Sequence, residues 1–239
     1  MKAQVVFTNA PSLKQQIYDA IKRSIVHCEY APNSQLNEDV FCRRFNASRT
    51  PVRDALSRLE QEGLVIIQPK RGVLISPVSL RAINEVFEVR MRIEPYAVYT
   101  YGNRLSEEVY ADYWRRFSAP VEDAAALYAL DAQFHYAFIE AANNRYLAMV
   151  YRITADQTER YRILSSGAER LDLTQHEHAG IVSACIRRDW SQASELMRAH
   201  IDNSRDSIID YALKANRGQC DAFEAEPASP TSSADPKYE

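Results

Sequence analysis

Twelve consecutive residues, Ser48-Arg49-Thr50-Pro51-Val52-Arg53-Asp54-Ala55-Leu56-Ser57-Arg58-Leu59, constrain this chain more than any other stretch. Arg49 and Arg53 stand one helical turn apart and share a face, while Val52, Leu56 and Leu59 fall on the opposite one. The start admits two readings: Thr50 as N-cap with Pro51 at the first helical position, or Ser48 as the cap. Such a helix can enter a DNA major groove with its first turns while its later turns bind it to a small core.

The flanking sequence supplies that core. Residues 13–27 carry apolar positions at Leu13, Ile17, Ala20, Ile21 and Ile25 behind Ser12 as N-cap, the pattern of an amphipathic helix. Residues 28–36, with Pro32-Asn33-Ser34, read as a turn. Asn37 caps a second helix to about Phe45 with Val40, Phe41 and Phe45 inward, Asn46-Ala47 is a tight connection, and Gly63 ends the third helix. Residues 64–67 and 73–75 are β-prone and joined by Gln68-Pro69-Lys70-Arg71-Gly72, a hairpin with a basic tip. Three helices and such a hairpin make a winged helix-turn-helix over residues 1–75.

In that frame each basic or hydroxyl side chain has an expected role. Arg49 and Arg53 can donate two hydrogen bonds to guanine O6 and N7. Ser48 and Thr50 are placed for phosphate oxygens, Arg43 and Arg44 for the backbone, and Lys70 and Arg71 for the backbone or minor groove beside the wing. The plainer reading makes Arg49, Arg53 and Arg58 a solvated helix face, and the full order of elements argues against it. Charge is compatible with DNA as partner: residues 1–75 hold 11 Lys and Arg against 7 Asp and Glu, the rest 18 against 25.

Beyond a short hinge at 76–79 the chain changes character. Apolar residues recur at three- and four-residue intervals over 80–102, 106–117, 123–141, 144–164, 171–187 and 189–213, which predicts an antiparallel bundle of six or seven helices over residues 80–217. Only 6 Gly in 239 residues suits a mostly helical body. Pro95 predicts a kink or boundary in the first of these helices. Residues 218–239 turn to Pro, Ser, Ala and acids without periodicity, and are expected to be a disordered tail. The 4 Cys have no paired spacing, no stretch is apolar enough to span a membrane, and residues 1–10 lack a signal-peptide core, so the expectation is a reduced, cytoplasmic protein.

Within the bundle, Asp131 and His135 are one turn apart, His178 lies on the fifth predicted helix, and His200 on the next. Asp with three His is a ligand set for Zn²⁺, Ni²⁺ or a similar divalent transition metal, and less apt for Ca²⁺. His176 points elsewhere on its helix and is set aside. Asp-His helical spacing is common without a metal, so hydrogen-bonded core residues in a purely structural bundle remain the alternative. A metal-dependent hydrolase is a further one, but the His-Glu-x-x-His base motif is absent, and Glu177 diverges from its neighbour His178 by about 100°.

Residues 13–75 resemble the DNA-binding domain of the GntR family of bacterial transcription regulators. The resemblance is carried by Ser48 to Leu56, by Leu59-Glu60-Gln61-Glu62-Gly63-Leu64-Val65 and by Pro69-Lys70-Arg71-Gly72. The family usually has Gly where this chain has Cys28, Asn33 and Asn46; Asn tolerates left-handed backbone, whereas Cys28 suggests an altered turn. Asp131, His135, Asn144, Glu177-His178, Asp189 and His200 resemble the FCD effector domain of the FadR subfamily. That resemblance implies a metal site at Asp131, His135, His178 and His200, completed by a carboxylate-bearing metabolite. It places Arg90 at the effector cavity, with Arg152 as a further candidate; a structural salt bridge between helices is the alternative for Arg90. It also implies a homodimer on pseudo-palindromic operator DNA, with repression relieved by a sugar acid, hydroxy or dicarboxylic acid or amino acid, and no catalysis.

Overall fold

The computed structural model describes residues 11–120, 124–165 and 168–215, which fall into two compact units, one running through Pro77 and one beginning at Val78. The expected tail at 218–239 lies outside the described residues.

The first unit opens with α1 (Leu13–Val26), whose first turn is capped by the Ser12 hydroxyl accepting from the Gln15 amide. Ile17, Ile21 and Ile25 recur every four residues and are fully buried, whereas Leu13 is exposed, so the buried stripe begins a turn later than the apolar pattern. In α2 (Glu38–Arg44) only Phe41 is fully buried, with Cys42 partly buried beside it, and Val40 faces outward. Asn46, with φ 46°, turns the chain into α3 (Arg49–Gln61). Ser48 is the N-cap of α3, so Thr50 is not. Pro51 occupies the third helical position, where the backbone amide still has no intrahelical acceptor. Val52, Ala55, Leu56 and Leu59 pack inward against α1.

The wing contains one strand more than expected. Besides β2 (Val65–Gln68) and β3 (Gly72–Ile75), the stretch expected as turn throughout ends in a short strand, β1 (Gln35–Leu36), and the antiparallel order is β1-β3-β2. Its cause is local. Asn33 takes left-handed backbone (φ 64°), folding the chain back so that the Asn33 amide donates to Ile75 O at 3.1 Å and the Ile75 amide to Ser34 O at 2.9 Å. Cys28 also keeps left-handed backbone (φ 58°), so this turn accommodates Cys instead of changing shape.

The second unit is helical: α4 (Leu80–Tyr101), a 3-10 turn at Gly102–Arg104, α5 (Glu107–Phe117), α6 (Ala124–Ala141), α7 (Arg145–Leu164), α8 (Ala168–Ile186) and α9 (Trp190–Ala215). Helix α4 packs against α6, α7 and α9, and α8 against α5 and α9. Phe87, Phe117, Phe134, Phe138, Ile181 and Met197 fill the space between them. Pro95 is not a helix boundary: α4 continues through it, with Pro95 buried and its carbonyl accepting from Ser194 Oγ at 3.0 Å. Packing of α4 along α9 offsets the roughly 3 kcal/mol that an interior proline costs a helix.

Candidate functional site

Three helices bring four side chains to one point of the bundle. Asp131 and His135 project from α6, His178 from α8 and His200 from α9, and all four are buried. Aromatic packing fixes the rings: Phe117 stacks on His178 at 4.7 Å between centroids, and Phe134 meets it edge-on at 5.4 Å. His135 Nε2 lies 3.1 Å from His178 Nε2 and 3.2 Å from His200 Nε2. Asp131 Oδ1 is 3.2 Å from His178 Nε2, 3.8 Å from His135 Nε2 and 4.0 Å from His200 Nε2.

The outward nitrogens explain why these atoms can only accept. His178 Nδ1 is 2.7 Å from the Thr174 carbonyl, His200 Nδ1 is 2.7 Å from Glu177 Oε2, and His135 Nδ1 is 2.5 Å from Glu94 Oε2. Carbonyl and carboxylate oxygens are acceptors, so the Nδ1 of His178 and of His200 carries its ring proton. His135 Nδ1 faces Glu94 at ion-pair distance without hydrogen-bond geometry, which favours the same tautomer, and each Nε2 turns a lone pair inward. Asp131 Oδ1 has no hydrogen-bond donor among the described residues. Four electron-rich atoms thus converge in a buried space, an arrangement that repels itself unless a cation lies among them. The cluster is capable of coordinating a metal ion, and a three-nitrogen, one-oxygen set suits Zn²⁺ or Ni²⁺.

Electrostatics prepares the ligands. Burial, and for His200 the neighbouring His178 and His135, hold the imidazoles of His135 and His200 below the usual range, and hence neutral. Burial would raise the Asp131 carboxyl, but the Arg162 guanidinium outweighs it and holds it well below the usual carboxylate range. Arg162 of α7 donates to Asp131 Oδ2, leaving Oδ1 for the cluster.

Glu94, Thr174, Glu177 and Arg162 were not among the residues expected at the site. Glu177 does diverge from His178, but it does so to orient His200 on the next helix. The Arg90-to-Glu94 spacing in an apolar stretch was the one legible signal for Glu94. Arg162 leaves none, because its partner comes from another helix 31 residues away. His176 is exposed, with Nδ1 2.8 Å from the Asp172 carbonyl, and lies outside the cluster.

A cavity of about 420 Å³ opens beside Asp131, with Arg90, Tyr136, Tyr151, Arg152 and Arg162 in its wall. Arg90 is not an interhelical bridge. It pairs along α4 with Glu94 (Nε to Oε1 2.5 Å, Nη2 to Oε2 3.2 Å), while its buried Nη1 has no partner among the described residues. Arg152 is exposed and donates to the Tyr136 hydroxyl at 2.8 Å.

In the first unit, Ser48, Arg49, Thr50 and Arg53 are exposed at the start of α3, as are Arg43 on α2 and Lys70 and Arg71 at the hairpin tip. The Arg49 and Arg53 side chains are each 63% exposed, which separates them from the protein's own core. Each nonetheless meets an acid of α2: Arg49 meets Asp39 at 3.1 Å and Arg53 meets Glu38 at 3.0 Å. Arg58 is turned back onto Tyr18 and Glu62.

A three-helix unit with a basic wing, followed by a helical bundle holding a buried Asp/His cluster, is the plan of a two-domain transcription regulator. Residues 13–75 match the family described as bacterial regulatory proteins, gntR family, and residues 85–203 match the FCD domain. The chain belongs to the GntR/FCD family of transcriptional regulators. It is 25% identical over 214 residues to the HTH-type transcriptional regulator YdfH of Escherichia coli O6:H1, covering 87% of this chain and 94% of that protein. It is 26% identical over 202 residues to the HTH-type transcriptional repressor RspR of Escherichia coli K12, covering 82% and 89%. A GntR regulator structure from Rhodococcus sp. RHA1 superposes with a TM-score of 0.72 at 19% identity, covering 84% of this chain and 99% of that one, which establishes the shared fold. The relatives are regulators, in keeping with a non-catalytic protein. No described helix is long and apolar enough to cross a membrane.

Proposed function

We propose that this protein is a metal-dependent, ligand-responsive repressor of the FadR subfamily, released from operator DNA by a small carboxylate metabolite. Asp131, His135, His178 and His200 hold a divalent transition metal, Zn²⁺ or Ni²⁺, which supplies a Lewis-acidic site for an anionic ligand. The observation that carries this reading is the convergence of three Nε2 atoms and Asp131 Oδ1, with the Nδ1 of His178 and of His200 hydrogen-bonded outward and that of His135 facing Glu94.

The effector occupies the cavity beside Asp131. Arg90 Nη1, buried without a partner among the described residues, receives its carboxylate, and Arg152 closes the rim. Residues 1–75 bind DNA as a homodimer on two half-sites, with Arg49 and Arg53 at base edges and Ser48, Thr50, Arg43, Lys70 and Arg71 at the backbone. Residues 76–79 act as the hinge, and 80–217 bind effector and dimerise. The RspR relative is described as a repressor, which supports that direction of control. The effector acts only so far as it binds one arrangement of the dimer better than the other.

Metal analysis of the purified full chain tests the site. Wild type is expected to carry about one divalent transition ion per chain and His178→Ala less than about a tenth of that. Equal metal in both proteins removes the cluster from the reading. Titration of metal-loaded protein on a selected DNA duplex with citrate, malate and gluconate then tests release.

A further inference from the structure

We propose that Asp39 is a positioning residue for base reading: its carboxylate fixes the Arg49 guanidinium so that the outer fork of that side chain meets a guanine. This rests on the reading of α3 as the helix that enters the major groove. Asp39 Oδ1 accepts from Arg49 Nε at 3.3 Å and from Nη2 at 3.1 Å, and Oδ2 lies 3.5 Å from Nη2. The carboxylate therefore occupies one edge of the guanidinium. Of the five N–H donors of an arginine, both on Nη1 and the second on Nη2 stay available. These form the end-on pair that matches O6 and N7 of guanine. Arg53, one turn along, is held by Glu38 Oε2 through Nε alone, at 3.0 Å, which likewise leaves its outer fork open.

The acids are better anchored than the arginines. Both lie in the first turn of α2, where the Asn37 side chain accepts from the Asp39 amide at 2.9 Å and Phe41 is buried in the core. A guanidinium held in its reading geometry before DNA arrives loses less rotamer freedom on binding. Helix-dipole stabilisation explains an acid in this turn but requires no contact with α3. The exposed ion pairs themselves contribute little to stability.

A carboxylate beside a phosphate backbone weakens binding to any duplex. An acid that only competed with DNA would depress specific and random binding by the same factor. A positioning acid depresses random binding while sustaining the specific contact, and so raises the ratio of the two. Selection from a randomised duplex library with full-length wild type, Asp39→Asn and Arg49→Ala separates these cases. Wild type is expected to select a guanine in each half-site that Arg49→Ala no longer selects. Asp39→Asn is expected to keep the motif, to weaken preference at that same position about tenfold, and to bind random duplex more tightly. Unchanged preference at that position in Asp39→Asn, or equal gains on selected and random duplexes, overturns the proposal. An Arg49→Ala protein that loses no position overturns the reading of α3 itself, a different failure from that of the Asp39 variant.

Discussion

One carboxylate joins the cavity to the histidine cluster: Glu94 Oε2 lies 2.5 Å from His135 Nδ1, and Glu94 Oε1 lies 2.5 Å from Arg90 Nε. Both partners are buried, as is Glu94. Burial opposes its ionisation, but Arg90 and His135 outweigh that and hold it below the usual carboxylate range.

Replacing Glu94 with Gln should therefore be costly. It leaves the Arg90 charge buried without a counter-charge and offers His135 Nδ1 a neutral acceptor at best. The expected loss is about 3–5 kcal/mol, the usual consequence of removing one partner of a buried pair. A urea titration measures it as a lower midpoint, and a loss below about 1 kcal/mol would show that the pair is not coupled to folding. Metal affinity should fall as well, by about 10- to 100-fold, because Glu94 orients a ligand.

Removing the metal should loosen the bundle. An ion present at about a thousand times its dissociation constant stabilises the folded state by about 4 kcal/mol. For a domain of this size that corresponds to a melting temperature higher by roughly 10 °C. Scanning calorimetry of the wild type before and after chelation should show that drop, and His178→Ala should melt low with no further response to chelator. A chelator-insensitive wild type that is verified metal-free would contradict the stabilising role.

Much of this architecture was legible in the sequence because it rests on local rules. Ser12, Asn37 and Asn144 cap helices as their side chains allow, and the periodicity of Ile17, Ile21 and Ile25 marks a buried face. The four convergent side chains could be picked out by residue type and by resemblance. Their supports were harder to read: Glu94, Glu177 and Arg162 act across helices, and apart from the Arg90-to-Glu94 spacing no sequence spacing encodes which helices become neighbours. Strand β1 was hidden for a similar reason, since two residues pair only because Asn33 folds the chain back to Ile75. As a boundary signal Pro95 pointed the other way, because tertiary packing carried the helix through a local breaker.

Cys28 marks a place where the backbone is out of keeping with its residue. It sits just past α1 with φ 58°, a conformation that costs a residue bearing a Cβ about 1–2 kcal/mol and costs glycine almost nothing. Cys28→Gly is expected to gain about 1 kcal/mol, less the extra freedom glycine brings to the unfolded chain. Thermal unfolding of the variant should show a higher midpoint. A lower midpoint would mean that the half-buried thiol contributes more by packing than the turn loses by strain.

Cys185, by contrast, belongs to the interior. It is buried in α8 beside Tyr110, and burial pushes its thiol up to about 12 from an ordinary value of 9.0. At pH 8 this leaves about a thousandfold less thiolate than an ordinary cysteine holds, and the thiolate is the reactive form. Iodoacetamide with peptide mapping should label the half-buried Cys28 and Cys42 in the native protein and reach Cys185 only on unfolding. The same shift fixes a sign for stability. Above pH 9 the unfolded chain releases the Cys185 proton while the folded chain keeps it, so stability falls as pH rises toward 12. Cys185→Ala removes that term, and its unfolding midpoint should decline less between pH 8 and pH 11 than that of the wild type. Rapid native labelling of Cys185 at pH 8 would show that the α5–α8 contact opens far more readily than its packing implies.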